Sequence, residues 1–405
     1  MAILKSLLAF VLVIAAAAHA AAEAPDPSDW DGVLAEARGE TVYFHAWGGE
    51  PRINAYIAWV GEKVKARYGI DLVQVKVSDT ANVVAQVLAE KTAGRDSGGS
   101  VDLVWINGEN FAAMRRTDLL MTPGWATKLP NWRYVDTEGK PTVTTDFTLA
   151  TDGLESPWGM AQLVFFRNLE TMPDAPTTLD ALADYVAAHP GRFTYPQPPD
   201  FLGTTFLKQL LVTLAPDKDL LSKPATEEAF AAASRPVFAF LDKITPDLWR
   251  HGAAYPRNVA ALRQLFADSE TDLAFTFNPA DVSAAIADGE LPDTVRPFIL
   301  DGGTIGNSHF VAIPFNANAK AGALVVADFL LSPEAQARKA DPTIWGDPTV
   351  LDVTALPPKD QALFYALTED PALLPPSQMR PTLPEPHPSW TERLEEAWVA
   401  RYGNR

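Results

Sequence analysis

The stretch Thr41-Val42-Tyr43-Phe44-His45-Ala46-Trp47, followed at once by Gly48-Gly49, decides the fold. It is a short apolar run rich in β-branched and aromatic residues, the pattern of a strand buried on both faces of a parallel sheet. Reading outward, Ile53, Tyr56, Ile57, Val60 and Val64 recur at helical spacing, and Gly69 stands where a helix ends. Asp71–Val77 reads as a second strand, and Val83, Val84, Val87 and Leu88 mark a second helix. After a Gly/Ser loop, Val101–Ile106 reads as a third strand, and Asn107-Gly108-Glu109-Asn110 opens a third helix. This βαβαβ order predicts an α/β fold with a mostly parallel sheet flanked by helices.

The pattern continues beyond an irregular Pro-, Trp- and Thr-rich stretch, Met121–Ser156. Strands are expected at Gly159–Arg167, Phe193–Tyr195, Asp272–Phe277 and His309–Phe315, and helices near 204–214, 227–243, 259–267, 319–331 and 391–402. Asn278-Pro279 has the Asn-cap, Pro-first layout of a helix start.

Composition narrows the function. The chain has 405 residues, a formal charge of −18 and no cysteine. With 33 Lys+Arg against 51 Asp+Glu, there is no basic surplus to neutralise nucleic-acid phosphates. The missing cysteines exclude disulfides, thiolate metal sites and thiol nucleophiles. No G-x-S-x-G elbow, H-E-x-x-H pair or Walker A loop occurs, and the six His are dispersed without an i,i+4 pair. No catalytic residue, metal ligand or cofactor is expected, and the protein is expected not to be an enzyme. His45, inside the first strand, reads as a core histidine, whereas His309 is open to a site role.

The N-terminus reads as an export signal. Lys5 precedes the apolar run Leu7–Ala18, and Ala18-His19-Ala20 and Ala20-Ala21-Ala22 are candidate cleavage triplets. The run is too short to cross about 30 Å of hydrocarbon. Residues 1–22 are therefore expected to be removed, leaving a protein in the bacterial periplasm.

In open α/β sheets, ligands bind beyond the carboxyl ends of the strands. That rule selects Trp47, Gly48 and Gly49 after the first strand, Glu109 and Asn110 after the third, and Asn278 at a later strand exit. Glycines let a ligand approach the backbone, and the following helix offers free N–H groups. Trp158, Asn307 and Trp345 complete the candidate set, since Trp faces hold sugars, heteroaromatic rings or cations.

At these residues the chain resembles the YnjB-type solute-binding proteins of bacterial ABC importers. The resemblance is carried by TVYFHAWGGEPRINAYIAWV from Thr41, GGSVDLVWINGENF from Gly98, LPNWRYVDT from Leu129 and ESPWGMAQL from Glu155. It continues through TYPQPPDFLGTTFL from Thr194, LAFTFNPA from Leu273, IGNSHFVAIPFNANA from Ile305 and FLLSPEAQARKADPTIWGDPTVLD from Phe329. It implies a two-lobed periplasmic binding protein of type II, with lobe one at 27–155 and 298–342, and lobe two at 156–297 and 343–405. It also implies a monomer whose partners are a small-molecule ligand, held between the lobes, and an ABC permease with its cytoplasmic ATPase. The Trp-rich loops with Glu50 and Glu109 favour a thiamine-like or other cationic ligand. Sugars and polyamines are alternatives, and a secreted carboxylate-based hydrolase is the competing class.

Overall fold

A computed structural model of the chain describes residues 25–365, 370, 372–374, 378–379 and 381–403. The export signal lies outside the described residues. Among the described residues eleven strands follow in order: β1 (Thr41–Trp47), β2 (Asp71–Val77), β3 (Leu103–Ile106), β4 (Thr145–Asp146), β5 (Leu149–Ala150), β6 (Glu155–Gln162), β7 (Val164–Asn168), β8 (Leu273–Thr276), β9 (Val295–Phe298), β10 (Thr304–Ala312) and β11 (Thr382–Leu383).

The expected βαβαβ unit is present. β1 pairs in parallel with β2 and β3, and the helix Pro51–Tyr68 crosses between the first two. Pro51 occupies the first turn, Glu50 accepts from Arg52 N, and Gly69 ends the helix at φ 75°, a left-handed conformation that costs glycine little. Buried Asp102 ties this unit to the later chain. Its carboxylate accepts from Tyr43 N at 2.9 Å and from Asn318 N and Ala319 N at 2.8 Å, just ahead of the helix Lys320–Leu330.

The first sheet is mixed, in the order β11-β10-β3-β1-β2 with β6 also on β10. β10 runs antiparallel to both β3 and β6. A second sheet, β8-β7-β9, is antiparallel at each pairing. The expected strand Gly159–Arg167 is in fact two strands in two sheets. β6 belongs to the first and β7 to the second, and Leu163 N bridges them by donating to Ile305 O at 2.8 Å.

Other expected elements shift for local reasons. Phe193–Tyr195 joins no sheet. Its backbone instead serves loops, with Phe193 O accepting from Trp249 N, and the prolines 196, 198 and 199 follow. The helix expected from Thr204 begins at Phe201, because Asp200 accepts from Leu202 N and Gly203 N. The helix expected to start at Asn278-Pro279 runs only from Asp281, because Asn278 Oδ1 closes a short turn onto Ala280 N at 3.1 Å.

Two principal cores result. One surrounds the first sheet, with Phe44, Tyr56, Trp158, Phe329 and Leu330. The other surrounds the second, with Phe165, Phe206, Phe275, Trp390 and Trp398. Trp345, Val350, Leu351 and Leu356 pack into the first core, although 343–405 was expected with the second lobe. Ala372 and the helix Pro388–Tyr402 pack in the second.

Candidate functional site

Two groups of charged side chains join elements of both cores, and a third, aromatic group lies within the first core. The first is an ionic seam. Arg52, in the opening turn of the helix Pro51–Tyr68, reaches across to Asp288 at 2.7 Å and to Ala284 O at 3.2 Å. The same guanidinium donates to Pro342 O and Thr343 O at 3.3 Å. Arg263, on the helix Val259–Ala267, binds Asp281 at 2.8 Å and approaches Glu290 at 3.4 Å and Glu50 at 3.9 Å. Burial pushes the Glu50 and Asp281 carboxyls upward, with Arg263 pulling the other way. Asn278 and Trp345 line the same small pocket.

The second group is a carboxylate cluster around one buried lysine. Lys208 lies on the helix Phe201–Leu214, which is buried from Leu202 through Val212. Its ammonium is 2.8 Å from Glu385, with both side chains 2% exposed. It also lies over the Phe147 ring at 4.4 Å and the Phe201 ring at 5.6 Å. Asn307 Nδ2 donates to the other Glu385 oxygen at 3.0 Å. Burial pushes Glu109 up, opposed by Lys208. Asp146 is pushed well up by burial, although it accepts from Gly108 N at 2.7 Å. Glu395, which accepts from Thr204 Oγ1 at 2.6 Å, is raised by burial to about 7.

The third group is an aromatic floor. Trp105, Trp158, Trp345, Tyr56 and His309 form one cluster, with ring centroids 4.9 Å apart for Trp105–Trp158 and 5.3 Å apart for Trp158–Trp345. Beneath it Lys339, fully buried, pairs with Asp347 at 2.6 Å, and His309 Nε2 meets the same Asp347 oxygen at 3.0 Å.

The nine residues selected from sequence separate accordingly. Glu109 and Asn307 join the Lys208 cluster. Asn278 and Trp345 line the ionic seam. Asn110 is partly buried in the opening turn of the helix Gly108–Arg116. Trp158 is 0% exposed and lies inside β6 among the aromatic rings, so it offers no face to a solute. Trp47 folds over Gly49, where a Cβ would stand 2.4 Å from its ring, and Lys76 similarly covers Gly48 at 2.6 Å. Those two glycines make room for the chain's own side chains, not for an approaching ligand. His45 is 5% exposed, a core residue as read from sequence.

Sequence reasoning missed Lys208, Glu385, Glu395, Asp146, Arg52 and Arg263. One signal was available: Lys208-Gln209 interrupts the apolar run Phe206-Leu207 to Leu210-Leu211, and a charge inside so apolar a helix needs a buried partner. Glu385 and Glu395 carry no such mark in an acidic, Pro-rich tail. Among the described residues, no group of His, Asp and Glu could hold a metal ion, and no helix is long and apolar enough to cross a membrane.

Residues 59–373 match the family of bacterial extracellular solute-binding proteins. The chain is also 46% identical over 376 residues to Protein YnjB of Escherichia coli (strain K12), an alignment covering 93% of this chain and 94% of that one. The chain belongs to this solute-binding family.

Solved structures agree on the architecture. The periplasmic binding protein AfuA of Actinobacillus pleuropneumoniae, with fructose-6-phosphate bound, superposes with a TM-score of 0.62 at 14% identity. That alignment covers 90% of this solute-binding protein and 99% of AfuA. The spermidine/putrescine substrate-binding protein PotD of Streptococcus pneumoniae gives 0.60 at 13% identity, covering 90% and 98%. These likenesses identify the two-lobed periplasmic binding protein fold.

Proposed function

We propose that this solute-binding protein captures a small cationic molecule, thiamine-like or polyamine-like, between its two lobes. It then delivers the molecule unchanged to an ABC permease with its cytoplasmic ATPase. The observation that carries this reading is the charge balance of the Lys208 cluster. Glu109, Asp146, Glu385 and Glu395 face one lysine, with Phe147 and Phe201 beside it. Aromatic faces and desolvated carboxylates together favour a cation, at about 0.5–2 kcal/mol per ring contact. Export to the periplasm would suit the apolar N-terminal stretch and the extracellular solute-binding family.

The lobes would hinge where β6 passes into β7 at Leu163 and where β9 gives way to β10 between Leu300 and Gly303. Closure brings Arg52 to Asp288 and Glu109 to Lys208, completing the binding surface. A thermal-shift screen tests the reading, because a solute that binds only the folded state raises its melting temperature. Thiamine, spermidine and putrescine are set against maltose, glucose and fructose-6-phosphate. Stabilisation confined to the cations supports the proposal. Stabilisation by a neutral sugar or a sugar phosphate alone refutes it, and chemical turnover of a tightly bound solute would move the protein to the enzyme class.

A further inference from the structure

The Lys208 cluster has more acid than it can neutralise and more buried acceptors than it can satisfy. Five elements bring charge to it: Asp79 ahead of the helix Thr80–Thr92, Glu109 on the helix Gly108–Arg116, Asp146 on β4, Lys208 on the helix Phe201–Leu214, and Glu395 on the helix Pro388–Tyr402. Glu385 completes the set from the segment after β11. The basic group acting on Glu109, Asp146 and Glu395 is Lys208, and it is already committed to Glu385. A second observation points to a guest. Asn307 is 5% exposed and its amide is held against Glu385, yet its Oδ1 has no partner. Asp146, 1% exposed, likewise has one oxygen bonded to Gly108 N and the other without a partner. Buried acceptors of this kind destabilise the protein while they lack a donor. A donor carrying positive charge would satisfy both the acceptors and the surplus of carboxylates.

We propose that the ligand's cationic group enters this cluster in exchange for protons, so that each binding event expels protons from the Glu109, Asp146 and Glu395 carboxyls. In the empty cleft, burial pushes the Glu109, Asp146 and Glu395 carboxyls upward, so that some hold protons. An arriving ammonium supplies the positive charge that the protons supplied, and they leave to solvent. Glu395 is the group poised for this, since burial and Glu109 have raised it to about 7. The inference rests on the reading that the ligand is cationic.

The test is calorimetric titration of the full chain with spermidine and with thiamine, each in phosphate and in Tris at pH 7. The two buffers differ in ionisation heat, so the difference between the measured heats counts protons released. The expected release is about half a proton or more per bound cation, and affinity should rise about fivefold from pH 6 to pH 7. Glu395→Gln should weaken binding of the cation at pH 7 and lose most of this release and most of the pH dependence. Tight binding with equal heats in both buffers and equal affinity at pH 6 and 7 overturns the exchange while leaving the cationic reading intact. Binding of neutral or anionic solutes alone overturns both. A readout that needs no ligand is the carboxyl carbon spectrum of glutamate-labelled protein. One resonance, absent in Glu395→Gln, should titrate near pH 7, and its titration in the ordinary carboxylate range would also overturn the exchange.

Discussion

Replacing Asp347 by Asn removes one charge from the buried pair beneath the aromatic floor. Lys339 is 0% exposed and Asp347 4%, and they meet at 2.6 Å. The Lys339 ammonium also donates to Trp158 O and lies 5.0 Å from the Trp158 ring and 5.2 Å from the Trp345 ring. Burial already pushes the lysine below its ordinary range, and Asp347 is the charge opposing that shift. Without Asp347 the ammonium is stranded in an apolar site, which costs about 3–5 kcal/mol. That is a large share of the roughly 5–15 kcal/mol that holds a domain folded.

The lysine can escape by losing its proton, and this caps the loss. Holding it neutral at pH 7 against an unfolded value near 10.4 costs about 4.6 kcal/mol, at 1.36 kcal/mol per unit. In that regime the unfolded chain binds one proton more than the folded chain, so stability rises with pH. Asp347→Asn should therefore recover about 1.4 kcal/mol per pH unit between pH 7 and 9. The double variant Lys339→Met, Asp347→Asn strands no charge and retains an amide beside His309, so it should lie within about 1–2 kcal/mol of the natural protein. Guanidinium unfolding followed by circular dichroism at pH 7, 8 and 9 measures all three. If Asp347→Asn loses less than about 1 kcal/mol, or a deficit that does not change with pH, the pair is not the buried ionic contact described here.

Trp158→Ala should destabilise the protein by about 3–5 kcal/mol through the cavity left among Phe44, Trp105 and Trp345, while changing ligand affinity less than about threefold. A calorimetric Kd that weakens tenfold with little loss of stability would instead make Trp158 a stacking residue. Asp328, which accepts from Asn131 N at 2.8 Å, is raised by burial from 3.8 to about 6. The folded state thus holds this proton more tightly than the unfolded one. The associated stability, up to about 3 kcal/mol, is fully present below pH 3.8 and is lost as pH rises through 6. Asp328→Asn should flatten the urea-measured stability profile between pH 4 and 7, and an unchanged slope would assign the titration elsewhere.

Much of the fold was legible because its signals are local. The run Thr41–Trp47, the helical spacing from Ile53 to Val64 and the stop at Gly69 each encode an element within one short window. Where the reading missed, a distant partner or a nearby cap decided. A single apolar stretch from Gly159 looks like one strand whether or not its halves join different sheets, and only the pairing of β6 with β10 and of β7 with β8 and β9 separates them. Asp200 set a helix start earlier than its apolar pattern, and Asn278 delayed one by closing its own turn.

The site was less legible for a related reason. Strand-exit reasoning selected Glu109 and Asn278, which the structure sets beside Lys208 and in the ionic seam. It could not distinguish a Trp that faces solvent at a strand end from Trp158, which turns inward against five other rings, those of Phe44, Tyr56, Trp105, His309 and Trp345. Nor could it find Glu385 and Glu395, since any carboxylate of an acidic chain looks alike until a buried lysine stands beside it.

By itself, the sequence determined the α/β class, the absence of thiol chemistry, the acidic balance and the solute-binding family. All of these are carried by composition, periodicity and contiguous motifs. The tertiary structure alone decided which carboxylates share Lys208, which tryptophans are core, and where Arg52 crosses to Asp288. Those outcomes depend on burial and on contacts between residues as far apart as Arg52 and Asp288, for which a linear chain carries no local signal.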